Sequence, residues 1–101
     1  MDTLEAMKVF LRVADAGGFA VAARQMDLTP ASVTRAVQSL EERVGMRLLQ
    51  RTTRSVRLTQ TGERYLETVR RMLVEIEEIE DALRHERSSE VSGTLRLSMP
   101  V

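Results

Sequence analysis

The chain has 101 residues, no cysteine, a single histidine (His85), and fifteen basic side chains balanced by fifteen acidic ones. This composition excludes a disulfide scaffold, a thiolate metal centre and any multi-histidine metal or triad site, and it suits a reducing cytoplasm. The length predicts one small domain plus an appended element, and no apolar run is long enough for a membrane span or a signal peptide.

Scarce aromatics leave Leu, Val, Met and Ala to build the core, which favours helices. A first helix is predicted over 2–16. Asp2 sits at its cap with Glu5 three residues on, and Leu4, Met7, Leu11 and Ala14 form an apolar stripe with Phe10 beside it. Gly17 and Gly18 stop it. A short second helix follows at about 19–26, with Phe19, Ala22, Ala23 and Met26 facing inward and the small alanines allowing close approach of another helix. "DLTP" then makes a tight turn in which Thr29 is a good N-cap and Pro30 takes the first helical position, where its missing N–H costs nothing. The third helix runs from Pro30 to about Val44. Val33, Val37, Leu40 and Val44 share one face, and Gly45 supplies a left-handed cap.

Residues 47–59, "RLLQRTTRSVRLT", predict two short strands at about 48–51 and 56–58 with a turn at Thr52–Ser55. Thr59 caps a long helix predicted to reach about residue 87. Its Tyr65, Val69, Met72, Ile76, Ile79 and Leu83 alternate four- and three-residue steps, a heptad seam. Polar "HERSSEVSG" reads as a linker, and "TLRLSMPV" as the start of a strand whose partners lie in a second domain outside this sequence.

The even charge balance alone argues against a nucleic-acid partner, but its distribution argues for one. Residues 28–61 hold Arg35, Arg43, Arg47, Arg51, Arg54 and Arg57 against Glu41 and Glu42, a net of +4. The net is −1 over 1–27 and −3 over 62–101. A polyanion senses the local block, because its attraction decays over a Debye length of ~10 Å.

The third helix carries a second face. At 100° per residue, Ala31, Arg35, Gln38 and Glu42 lie within about 40° of the pole opposite the valines. A short helix, a tight turn and then a helix with an apolar back and a polar front is the helix-turn-helix arrangement, whose second helix enters the DNA major groove by its N-terminal end. Arginine forks onto guanine, glutamine onto adenine, and small methyls touch thymine. The competing reading is a plain solvated helix face. Against it stands "RTTRSVRLT", with Arg51, Arg54 and Arg57 at every third position across a hairpin and no acid from Met46 to Gly62. A hairpin directly after a helix-turn-helix is a wing, and an arginine at its tip, such as Arg54, suits a narrow minor groove.

The stretch "LEAMKVFLRVADAGGFAVAARQMDLTPASVTRAVQSLEERVGMRLLQRTTRSVRLTQTGERYLE", followed by a long helix, resembles the N-terminal DNA-binding part of LysR-type transcriptional regulators. The most specific part is "SVTRAVQSLEERVGMRLLQRTTRSVRLTQTG", and the resemblance covers essentially the whole chain. It implies a mainly α fold: a winged helix-turn-helix of three helices and a short two-stranded wing (1–59), a long linker helix that dimerises (60–87), and a hinge and first strand of an effector-binding domain (88–101). It further implies that Pro30, Ala31, Thr34, Arg35 and Gln38 meet bases or nearby backbone, and that Arg54, with Arg51, Thr52, Thr53 and Arg57, forms the wing contacts. The implied partners are a double-stranded inverted-repeat operator, a second copy of the chain through the linker helix, and a small-molecule effector bound only by the further domain. No cofactor, metal or membrane is expected, and the location is cytoplasmic. One departure stands out. The family's "GSFSAAA" is here "GGFAVAA", so Gly18 and Ala20 replace hydroxyl residues, which predicts a weaker helix cap and puts a phosphate contact there in doubt.

The far seam residues Ile76, Ile79 and Leu83 lie beyond what so small a domain can cover, which points to a partner chain. The acidic run Glu75, Glu77, Glu78, Glu80 and Asp81 reads as a solvated face. An enzyme finds no support: no nucleophile–base pair, glycine-rich phosphate loop or closed pocket is indicated, and His85 reads as a surface residue. The alternative functional reading is a coiled-coil interaction module with the winged domain as a passive cap, which has no need of the +4 block. Another winged-helix family without an effector domain is a third reading, against which "SGTLRLSMPV" speaks.

Overall fold

Asp2 opens the first helix, α1 (Thr3–Ala16), by accepting the Glu5 N–H at 2.8 Å, and Gly17 closes it in the left-handed conformation at φ 80°. The computed structural model describes residues 2–52 and 55–93, so the wing-tip pair Thr53 and Arg54 and the strand expected after 93 lie outside the described residues. After α1 come α2 (Phe19–Met26), α3 (Pro30–Val44), the strands β1 (Leu49–Arg51) and β2 (Val56–Leu58), and α4 (Gln60–Gly93). The chain divides into two units, one ending at Arg70 and the other beginning at Arg71.

In the first unit, α1 packs on α2 and α3, and the two strands form an antiparallel ribbon pairing Leu49 with Leu58, Gln50 with Arg57 and Arg51 with Val56. Phe10, Val13, Ala22, Val33, Val37 and Leu48 are fully buried at the centre. Each large side chain so buried is worth about 1.5–3 kcal/mol. The core face of α1 differs from the predicted stripe. Ala6, Val9, Phe10 and Val13 are buried, whereas Leu4, Met7, Leu11 and Ala14 are half-buried at its flank. Both stripes are apolar and adjacent, and the core takes the one holding Phe10. On α3, Ala36 joins Val33, Val37 and Leu40 in the core, while Val44 at the last turn is 38% exposed.

The start of α2 has no side-chain cap. Gly18 is extended and offers no side-chain hydrogen bond, and Asp27 ends the helix at φ 58°. Thr29 caps α3 by accepting the Ser32 N–H at 3.1 Å, with Pro30 in the first turn and Gly45 as the left-handed terminus.

The seam expected for a partner begins inside the chain's own core. Tyr65 meets Phe10 edge-to-face with ring centroids 5.7 Å apart and is partly buried, and Val69 is buried to 1% exposure within the single chain. Burial raises the Tyr65 phenol above its ordinary value, partly offset by the nearby Arg43 charge. A bidentate pair from Arg70 to Asp15, at 2.9 and 3.3 Å, fastens this part of α4 to the end of α1. The Arg70 hydrogen bond holds the Asp15 carboxyl below the usual range, against a smaller opposing effect of burial.

In the second unit α4 continues to Gly93, six residues past the predicted end, so residues 88–93 are helical. Ser88, Ser89 and Ser92 are polar, but none of them breaks a helix, and no glycine or proline intervenes before Gly93. Met72 and Ile76 are half-buried on this helix, and Val74, Ile79 and Leu83 are more than half exposed.

Candidate nucleic-acid interface

The front of α3 is built by its back. Val33 and Val37 are fully buried, which fixes the rotation of the helix and turns Ala31, Arg35 and Gln38 to solvent, with Pro30 exposed at the first turn. Thr34 lies at the margin and is half-buried. Among the described residues, neither Arg35 nor Gln38 has a hydrogen-bond or ion-pair partner, so both are available to an outside group. An open depression lined by Ser32, Arg35, Gln38, Ser39 and Glu42 runs along this face. The N-terminal turn is also the positive end of the helix dipole, favourable to a phosphate.

The wing is braced at its turn. The Thr52 hydroxyl donates to the Ser55 carbonyl at 3.0 Å and accepts the Ser55 N–H at 2.9 Å, while the Thr52 N–H donates to the same carbonyl at 2.9 Å. Thr52 therefore ties the end of β1 to Ser55, and its hydroxyl is already committed. Arg51 lies over the Phe19 ring, 4.5 Å from its centroid, tying β1 to the start of α2. Such a contact is worth about 0.5–1 kcal/mol at an exposed site. Arg57 on β2 is exposed and, among the described residues, without an ion-pair partner.

Three residues that join α3, the wing and α4 had no functional reading in the sequence. Glu41, counted there only as a negative charge, has a side chain 12% exposed. Its carboxylate accepts the N–H groups of Leu48 and Leu49 at 2.9 and 3.2 Å and lies 3.7 Å from the Arg47 guanidinium. Thr59 grips the same segment from the other side. Its N–H donates to the Leu48 carbonyl, its hydroxyl donates to the Arg47 carbonyl at 2.7 Å, and that oxygen accepts the Gly62 N–H. Gly62 lets α4 approach so closely that a Cβ there would sit 2.0 Å from the Leu48 carbonyl oxygen. Only the Thr59 cap was signalled by sequence; the other two depend on contacts distant along the chain.

Among the described residues no cluster of three or more His, Cys, Asp or Glu side chains could hold a metal ion, and no helix is long and apolar enough to cross a membrane.

Residues 4–63 match the profile described as the bacterial regulatory helix-turn-helix protein, lysR family. The chain belongs to the LysR family. Among its LysR-type relatives, the uncharacterized HTH-type transcriptional regulator YhjC of Escherichia coli K12 is 39% identical over 99% of this chain and 33% of its own length. The HTH-type transcriptional activator AaeR of the same organism is 37% identical over 96% of this chain and 31% of its own. An HTH-type transcriptional repressor of Pseudomonas aeruginosa is 41% identical over 96% of this chain and 30% of its own. The chain thus spans about a third of the length of these relatives. Among solved structures, the CbnR DNA-binding domain in complex with DNA superposes with a TM-score of 0.79 at 34% identity, covering 86% of this chain and 99% of that one. The BenM DNA-binding domain on the catB site 1 DNA gives 0.82 at 25% identity, covering 87% and 98%. The winged helix-turn-helix and the long following helix of this LysR-family chain are thereby the family's own architecture.

Proposed function

We propose that this chain is the sequence-specific DNA-binding part of a LysR-type transcription regulator acting in the bacterial cytoplasm, and that it is not an enzyme. The N-terminal half of α3 enters the major groove, where Arg35 and Gln38 read base edges and Pro30, Ala31 and Thr34 let the helix approach and touch methyl groups or backbone. The wing residues Arg51, Thr52, Thr53, Arg54 and Arg57 supply contacts to phosphates and the minor groove. The observation that carries this reading is the unpartnered pair Arg35 and Gln38, held out from α3 by fully buried valines behind them. The DNA complexes among the structural relatives support it.

Two copies pair through α4 and present two α3 helices to an inverted repeat. The support is the stripe from Met72 through Ile76 and Ile79 to Leu83, whose last two members are exposed at 55% and 54% in the single chain. Tyr65 and Val69 contribute from within by seating the base of that helix. A small-molecule effector would act through a further domain, as the relatives' greater length suggests.

The test separates reading from holding. Arg35→Ala is expected to cost about 1–3 kcal/mol on the preferred site and to relax base preference at one position. Arg57→Ala is expected to weaken all sequences alike and to reduce the salt slope of binding by about one unit. Binding titrations across salt on matched and single-mismatch duplexes distinguish them. A uniform loss with Arg35→Ala would demote that residue to a phosphate contact.

A further inference from the structure

We infer that Glu41 is a positioning residue for DNA binding: its carboxylate locks the root of the wing to the base-reading helix, so that the two reach one duplex in fixed register. The inference deepens the DNA-binding reading and rests on it.

The geometry is specific. The ladder bonds from Thr59 N–H to the Leu48 carbonyl and from Thr52 N–H to the Ser55 carbonyl bracket the paired residues. Alternation along an antiparallel ribbon then points the Leu49 N–H away from β2. That donor has no strand partner, and the Leu48 N–H, on the residue that closes the ladder against Thr59, also bonds to Glu41. Glu41, three turns along α3 from Pro30, fills the gap with both bonds at once. Thr59 holds the carbonyls of the same three-residue segment, so residues 47–49 are gripped on both edges. Glu41 therefore fixes where β1 leaves α3, and with it where Arg51 and Arg57 stand relative to Arg35 and Gln38.

Charge makes the inference testable. Glu41 is one of two acids within the +4 block. Removing an acid beside a phosphate-binding surface should, by electrostatics alone, tighten binding to a polyanion. A positioning role has the opposite consequence. Glu42 is the charge control, since it is the adjacent acid and, among the described residues, has no hydrogen-bond or ion-pair partner.

The experiment compares this chain with Glu41→Ala, Glu41→Asp and Glu42→Gln. Folding is followed by circular dichroism, and binding to a selected duplex is titrated at several salt concentrations with the active fraction measured. Glu41→Asp keeps the charge but is one methylene too short to reach both amides, so it keeps the inference falsifiable if Glu41→Ala does not fold. The expected result is weaker binding for both Glu41 variants, with the salt slope lower by about one unit for each wing arginine released, unchanged base preference at the α3 positions, and slightly tighter binding by Glu42→Gln. A folded Glu41→Asp with the parent slope and affinity, a folded Glu41→Ala that binds more tightly, or a loss confined to the active fraction at an unchanged slope would each overturn the inference. Absence of salt-dependent binding by the parent chain would instead overturn the DNA-binding reading beneath it.

Discussion

An alanine at Gly62 would gain about 1 kcal/mol in helix propensity, yet its Cβ would lie 2.0 Å from the Leu48 carbonyl oxygen and 2.9 Å from the carbonyl carbon. Both contacts are to backbone already held by Glu41 and Thr59, so the strain cannot be relieved by turning a side chain. Gly62→Ala is expected to destabilise by about 1–3 kcal/mol net of propensity, read as a lower urea midpoint. Gly18 is the reverse case. It is extended, a Cβ added there would meet no atom within 4 Å, and α2 has no side-chain cap. Gly18→Ser is therefore expected to stabilise by a few tenths of a kcal/mol, seen as a small rise in the same midpoint. Asp15 gives a pH signature. Its pKa is depressed mainly by the Arg70 hydrogen bond, so its contribution is fully present above the unfolded value of about 3.9 and is lost as pH falls through the lower folded value. With both side chains about half exposed, the effect is a few tenths of a kcal/mol. Asp15→Asn should be slightly less stable than the parent at pH 7, with the difference lost as the pH falls through the lowered Asp15 value. A gap that persisted in acid would assign the loss to packing.

At the scale of elements, what could be read from the sequence follows from what is local. Asp2, Gly17, Thr29, Pro30 and Gly45 act within one turn of themselves, and the boundaries of α1, α2 and α3 fall where those residues predict. The wing was legible because turn residues interrupt two short apolar-alternating runs. The choice between two apolar stripes on α1 was not, since only tertiary packing decides it. The end of α4 was not legible either, because serines resemble a linker in composition although they extend a helix already under way. Within the candidate site, Arg35 and Gln38 were legible from helical phase, while the roles of Glu41 and Gly62 depend on residues seven and fourteen positions away. Val69 was legible as apolar but not as already buried.

At the scale of the molecule, the charge is sorted along the chain. The +4 segment coincides with α3 and the wing, and the acids collect on α4, whose negative face would be repelled by a duplex. On the proposed function this sorting would let an overall neutral chain bind a polyanion through α3 and the wing. On that function it would also account for specificity resting on few side chains, with affinity drawn from arginine and phosphate and discrimination from Arg35 and Gln38. The measurement that tests this most directly is selection of the chain's ligands from a random pool of duplex DNA at moderate salt. The account predicts enrichment of an inverted repeat whose halves are each weakened by Arg35→Ala. Enrichment of an isolated half-site would contradict dimeric binding through α4, and failure to enrich or bind any duplex even at low salt would contradict the central claim that α3 and the wing form a DNA-reading surface.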